Sequence, residues 1–264
     1  MTIDLVITLF VIGFVGSFIS GLVGIGGSII KYPMLLYIPP ALGFVAYTAH
    51  EVSGISAVQV FFATLAAAWT LRKDKLIHYQ LVVYMGSAII VGSLLGGYGG
   101  KFLSANAVNI VYAILATIAV ILMFLPKKRM DEREQTTEVI FHKPTAVLSA
   151  LMVGGASGIV GAAGAFILVP IMLIILKIPT RVAIASSLAI TFLSSIGSTI
   201  GKWMAGDILL WPSVIMVIAS IMAAPLGTKV SKRLGTRILQ SILALLILAT
   251  TIKIWADILL FIRV

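Results

Sequence analysis

Residues 20–33 read SGLVGIGGSIIKYP, and residues 157–170 read SGIVGAAGAFILVP. The two stretches align without gaps at a constant offset of 137 residues, the difference between 157 and 20. Seven of the fourteen aligned pairs are identical: Ser20/Ser157, Gly21/Gly158, Val23/Val160, Gly24/Gly161, Gly27/Gly164, Ile30/Ile167 and Pro33/Pro170. Agreement at this density predicts an internal duplication of the chain.

Both stretches contain too much glycine for an uninterrupted helix, and each ends in proline. We therefore expect a helix break in each half, where free backbone N–H groups could hold an anion. The alternative is that the glycines only let helices pack closely. A nucleotide-binding loop is excluded because no strand precedes the segment and no Lys-Ser/Thr pair follows it. The candidate substrate-binding residues at the breaks are Gly24, Gly26, Gly27, Ser28, Gly161 and Gly164.

The composition is that of a membrane protein. The 264 residues are 60% hydrophobic and 11% charged, and the mean hydropathy is +1.15. Because a helical span takes roughly 20 apolar residues, the chain has room for about ten spans. Continuous apolar runs exclude a barrel of alternating strands. The predicted fold class is an all-α polytopic membrane protein, located as a multi-pass protein in the cell membrane.

A charged segment near the middle divides the chain. We predict a first transmembrane repeat over residues 1–125, a cytoplasmic charged linker over 126–144, and a second transmembrane repeat over 145–264. About five spans per half is an odd number, so the halves would be inverted repeats with glycine-broken helices at their interface. Treating the second stretch of each half as re-entrant is disfavoured, because it would separate the basic loops from the linker.

The net charge of +10 comes from cations in short loops, which is the positive-inside pattern and not a nucleic-acid surface. Crossing every stretch puts these loops on the cytoplasmic side and both termini outside. The chain has no cysteine, which excludes disulfides and thiolate metal sites. We predict no metal or cofactor; the expected partners are a small anionic substrate and the lipid bilayer. Whether the chain forms a homo-oligomer is left open.

Polar side chains on two predicted helices form the walls of a candidate site. They recur at spacings of three and four between residues 181 and 203, which places them on one helical face. The substrate-binding candidates there are Thr191, Ser194, Ser195 and Ser198, and those on the matching helix of the first half are Ser53, Ser56 and Gln59. Such hydroxyls could coordinate an oxyanion or could only pack the helices together.

Three ionisable residues are further candidates. His50 and Glu51 could relay a proton that drives transport, or could simply lie at the membrane interface. Lys31 lies inside the first glycine segment, where it could be the counter-charge of an anion or could extend to the membrane surface.

The two glycine segments ending in proline, the chain length and the central charged linker resemble the sulfite exporter TauE/SafE family of membrane permeases. The resemblance covers essentially the whole chain. It implies a permease for a small anion, such as sulfite or sulfoacetate. The duplication with matched breaks favours a secondary transporter that acts by alternating access. The sequence departs from the usual pattern at Lys31, Ala162 and Ala163.

Two other functions are weighed beside this one. An anion channel or facilitator would use the same polar walls without alternating access. An intramembrane enzyme would need a catalytic constellation, but His78 and His142 fall near span ends or in the linker, away from His50. We therefore predict no enzyme activity and no catalytic residues.

Overall fold

The computed structural model describes residues 2–23, 28–71, 76–124, 141–162 and 164–262. Within these ranges the chain forms ten α-helices and a short 3₁₀ turn at Gly100–Phe102, and it contains no strand. The helices of the first half are α1 (Ile3–Val23), α2 (Ser28–Ala41), α3 (Ala49–Leu71), α4 (Tyr79–Gly99) and α5 (Ala105–Phe124). Those of the second half are α6 (Lys143–Val160), α7 (Ala165–Ile174), α8 (Thr180–Ala205), α9 (Leu210–Arg233) and α10 (Thr236–Ile262). The predicted all-helical membrane fold is confirmed.

Eight of the helices in the described ranges are long and apolar enough to cross a membrane. The other two, α2 and α7, have only 14 and 10 residues. Each is the second helix of its half and follows a glycine stretch. After α2 ends at Ala41, the chain becomes helical again only at Ala49.

The helix boundaries repeat with the sequence. In the first half one helix ends at Val23 and the next begins at Ser28; in the second half the boundaries are Val160 and Ala165. Both pairs differ by the same 137 residues as the aligned segments. Proline is the sixth residue of both α2 and α7, where it removes one backbone donor from the helix. The duplication thus extends from residue identity to helix geometry.

Close backbone contacts at glycines define the helix directions. A Cβ at Gly13 would meet Ala219 of α9, and one at Gly21 would meet Ala224 further along, so α1 and α9 are parallel. The contacts of α4 with Gly154 and Gly158 make α4 and α6 parallel in the same way.

The direction of α3 links these two pairs of helices. Helix α3 begins beside Asp207, which lies just before α9. Helix α3 is therefore parallel to α1 and α9. The short connection after α3 reverses the chain into α4. The aligned helices α1 and α6 therefore run in opposite directions, which favours inversion of the two halves.

The basic connections share one face of the helix bundle. The Arg181 guanidinium at the start of α8 donates to the Leu234 carbonyl after α9, at 3.1 Å. The backbone N–H of His78, before α4, donates to Ser186 Oγ at 3.0 Å. The Phe141 ring, which follows the linker, packs edge-on against the His78 ring. We expect this face to be cytoplasmic.

Topology can be tested by cysteine labelling, since the chain has no native cysteine. Cysteines introduced in the linker at 129–137 should react with an impermeant reagent only from the cytoplasmic side. A cysteine added after Val264 should react only from outside, because an odd number of crossings, five, follows the cytoplasmic linker. External labelling of the linker would contradict the orientation, and a cytoplasmic C-terminus would contradict an odd number of spans per half.

Candidate functional site

The second glycine segment is a true helix break. Gly161 and Gly164 have φ values of 71° and 72°, in the left-handed region that favours glycine. The Ala162 N–H donates to the Ser157 carbonyl at 3.0 Å, which closes the end of α6. Gly164 precedes α7, and as a glycine it has no side chain that could cap the first backbone N–H groups of that helix. These amides therefore receive no side-chain acceptor from the capping residue.

The second break lies at one end of the α3–α8 pair, and Gly21 of the first glycine-rich segment lies at the other end. Gly161 packs against the Ser53 carbonyl, one turn into α3, so closely that a Cβ there would collide with it. Gly21, just before the first break, lines a cleft with Arg181 and Ala185 at the start of α8. The two positions lie at opposite ends because α3 and α8 are antiparallel, with His50 at the start of α3 beside Asp207 at the end of α8. Gly24, Gly26 and Gly27 fall outside the described residues, and of Ser28 only the backbone position at the start of α2 is described.

The predicted site residues on α3 are Ser53, Ser56 and Gln59, which we call the α3 wall. All three are fully buried, and they differ in their hydrogen bonds. Ser53 Oγ donates to the His50 carbonyl at 2.7 Å, within its own helix. Ser56 Oγ has no hydrogen-bond partner within the described part of the chain. Gln59 Nε2 donates to Ser17 Oγ at 3.1 Å and to Ser220 Oγ at 2.7 Å. The serines on α1 and α9 were missed by the sequence analysis, and no spacing rule connects them to Gln59.

The α8 wall is also buried, at Thr191, Ser194, Ser195 and Ser198. Ser195 Oγ donates to the Phe192 carbonyl at 2.6 Å. The other three hydroxyls have no partner among the described residues. A buried polar group without a partner costs about 1–3 kcal/mol, so these hydroxyls are suited to bind a polar ligand.

The two walls lie at the same depth. The Phe61 ring of α3 lies 5.2 Å from the Phe192 ring of α8, and the two helices are antiparallel. A residue one turn before Phe61 on α3 therefore lies at the same depth as a residue about one turn after Phe192 on α8. This register places Ser56 and Gln59 near the level of Ser194 and Ser198.

Lys31 is fully buried, one turn into α2. Its aliphatic stem fills the notch left by Gly16 on α1, and Nζ has no hydrogen-bond partner among the described residues. This burial excludes the prediction that Lys31 extends to the membrane surface. Gly16 belongs to the same turn of α1 as Ser17, which Gln59 contacts. Lys31 and the α3 wall therefore border the same part of α1.

Glu51 closes the start of α3. Its carboxylate accepts from the Thr48 N–H at 2.8 Å and from Thr48 Oγ1 at 3.0 Å. The Glu51 N–H in turn donates to Thr48 Oγ1 at 3.2 Å. This reciprocal pair is a capping box, which stabilises a helix N-terminus. The proton-relay role proposed for Glu51 thus has a structural alternative in the same side chain.

His50 belongs to a charged cluster that the sequence analysis did not assemble. Its Nδ1 lies 3.8 Å from Asp207 Oδ2, and the same oxygen accepts from Lys202 Nζ at 3.0 Å. His50 Nε2 lies 3.1 Å from the Leu103 carbonyl. Asp207 is the single acidic residue between positions 145 and 256, and that isolation is the signal that could have identified it.

Comparison with known proteins agrees with this architecture. The sulfite exporter TauE/SafE family model matches residues 9–254. A probable membrane transporter protein of Bacillus subtilis, YunE, is 23% identical over 259 residues, covering 92% of this chain and 94% of the relative. A probable membrane transporter protein of Xylella fastidiosa is 26% identical over 269 residues, covering 97% of this chain and 99% of the relative.

An archaeal relative matches over a similar length. Probable membrane transporter protein MJ0441 of Methanocaldococcus jannaschii is 25% identical over 248 residues, covering 89% of this chain and 90% of the relative. No solved structure matches the chain. Since the family model extends from the first helix to the last, the chain belongs to the TauE/SafE sulfite exporter family of membrane proteins.

Proposed function

We propose that this protein is a secondary transporter that moves a small anion by alternating access, with Lys31 and the buried hydroxyls of α3 and α8 as its binding groups. The observation that carries the proposal is the Lys31 ammonium, which is fully buried and has no hydrogen-bond partner among the described residues. An uncompensated buried cation is costly, and a bound anion would offset that cost.

The polar groups of the buried interior suit an anion better than a cation. In the described ranges the fully buried polar side chains are serines, threonines, one glutamine and two lysines, without a carboxylate. The ammonium groups only donate hydrogen bonds and each hydroxyl can donate one, whereas the carboxylates that commonly bind cations are missing from these buried positions. The position aligned with Lys31 in the second half is Leu168, so this cation belongs to one half of the duplicated framework.

We propose a sulfur oxyanion or an organosulfonate, such as sulfite or sulfoacetate, as the substrate. The family is described by sulfite export, and the relatives are described as probable membrane transporters. A sulfur oxyanion has several acceptor oxygens for the donors on two helices. Charge-assisted hydrogen bonds of this kind are about twice as strong as neutral ones.

The positions of Gly161 and Gly21 support alternating access. Gly161 of the second break packs near the start of α3, and Gly21 of the first glycine-rich segment lines a cleft at the start of α8, with the polar walls between them. Opening one end while the other stays closed would expose the central groups to each side in turn. An anion channel, the second candidate, would leave both ends open together.

Counterflow in proteoliposomes tests this function. Vesicles loaded with unlabelled sulfite should accumulate external radiolabelled sulfite, because a carrier exchanges substrate across the membrane. Sulfoacetate, sulfate and acetate, each loaded inside in a parallel experiment, would rank the anions. Flux without stimulation by internal substrate would indicate a channel. Absence of flux for every anion, in protein that remains folded, would overturn the proposed function.

A further inference from the structure

We propose that His50 Nδ1 is a proton-binding site, and that a proton shared there with Asp207 closes the anion path on the side of the membrane where α3 begins. The inference deepens the proposed transport function and rests on it for its role in coupling. Its evidence is the geometry of His50, Lys202 and Asp207, which the anion site itself does not use.

The hydrogen bonds of His50 define where a proton would bind. Nε2 lies 3.1 Å from the Leu103 carbonyl, and a carbonyl can only accept. The neutral ring therefore carries its hydrogen on Nε2, and the lone pair of Nδ1 faces the Asp207 carboxylate at 3.8 Å. A proton on Nδ1 would replace the contact between two acceptors by a charge-assisted hydrogen bond. Histidine side chains commonly serve as the proton-binding groups of pH-sensitive proteins.

The charged side chains around His50 each have another partner, so none of them occupies the position that a proton on Nδ1 would take. Lys202 Nζ is 3.0 Å from Asp207 Oδ2 and neutralises the carboxylate. Glu51 is occupied by its capping bonds to Thr48. Lys101, on the adjacent 3₁₀ turn, lies over the Tyr98 ring at 3.7 Å. With neutral His50 the charges of Asp207 and Lys202 cancel, and a proton on His50 would make the cluster net positive.

The cluster joins the two halves of the chain at one end of the polar walls. His50 is on α3, whereas Lys202 and Asp207 are at the end of α8 and in the connection to α9. The Asp207 backbone also packs directly on Gly54, one turn beyond His50. Lys202 follows Ser198 by one turn on the same face of α8, and Ser53 follows His50 on α3. A bond between His50 and Asp207 would therefore draw the halves together over the hydroxyl groups.

This arrangement predicts coupling between the proton and the anion. A proton on His50 leaves the cluster with one net positive charge, which favours a nearby anion. The same proton strengthens the contact that closes this side. The anion and the proton would thus be enclosed together and released together on the other side of the membrane.

Cysteine accessibility tests the gate without an identified substrate. The native chain has no cysteine, so Ser56→Cys places one thiol behind the gate and Ser104→Cys places one on the exposed surface at the same end. Both thiols are labelled with an impermeant thiosulfonate applied from that side. The labelling rate of Ser56→Cys divided by that of Ser104→Cys corrects for the change of thiol reactivity with pH. We expect the ratio to fall by about tenfold between pH 8 and pH 6, the factor supplied by one charge-assisted hydrogen bond.

Replacement of single groups identifies the proton site. In the Ser56→Cys chain, His50→Gln and Asp207→Asn should each abolish the pH dependence of the labelling ratio. The chain has three histidines, so replacing both His78 and His142 by glutamine is the matched control and should preserve the response. Labelling of Ser104→Cys and elution as a single species on gel filtration would show that each variant is folded.

The outcomes separate this inference from the transport function. A constant ratio in the parent chain, or a pH response that persists in folded His50→Gln, would overturn the gate. A normal pH response together with no flux of any anion would overturn the proposed function and leave the gate standing.

Discussion

Replacing Lys31 by methionine is expected to weaken anion binding by about ten-fold to a hundred-fold while the fold survives. Methionine preserves most of the stem that fills the notch at Gly16, and it removes the charge. A hydrogen bond to a charged group contributes about 1–3 kcal/mol, which corresponds to that range of Kd. Because the substitution also removes a buried charge without a described partner, we expect the substrate-free protein to unfold at a higher temperature.

Both effects can be measured on purified protein. Sulfite would be titrated into wild type and Lys31→Met by calorimetry, and thermal unfolding would be followed without anion. Lys101→Met is the matched control, since Lys101 is an exposed lysine over an aromatic ring, and it should leave sulfite affinity unchanged. Unchanged affinity in folded Lys31→Met would assign the anion to backbone amides and hydroxyl groups alone.

Gly161→Leu is expected to abolish transport. At φ 71° a leucine is strained, by about 1–2 kcal/mol. Its Cβ would also collide with the Ser53 carbonyl, displacing the break from α3. The duplication predicts the same loss for Gly24→Leu, whose position lies outside the described residues. Uptake of radiolabelled sulfite at equal expression is the measurement.

Gly43→Leu separates strain from contact. Gly43 has a φ of 84°, and a Cβ there would meet no atom within 4 Å. This variant carries a similar backbone penalty without a collision, so its transport should be preserved. Wild-type uptake by Gly161→Leu would show that the second break does not line the substrate path. An equal loss of transport in Gly161→Leu and Gly43→Leu would show that backbone strain causes the loss.

The sequence by itself determined the membrane class, the helices and the helix break of the second half. These features are local: hydropathy selects a helix within about 20 residues, and glycine and proline interrupt it at the positions they occupy. The offset of 137 residues between the two aligned segments recurs between the ends of α1 and α6 and between the starts of α2 and α7. The hydroxyl face of α8 followed from periodicity in the same way, and its candidate residues are buried as a row.

Only the tertiary structure decided which polar groups meet and at what depth. Lys31 is buried because Gly16, 15 positions earlier on another helix, leaves space for its stem. Asp207 lies beside His50 because the connection before α9 packs on Gly54, and the antiparallel course of α3 and α8 places Gly161 and Gly21 at opposite ends of this helix pair. Such relations depend on close backbone approach between helices distant in sequence, which periodicity within one helix does not specify.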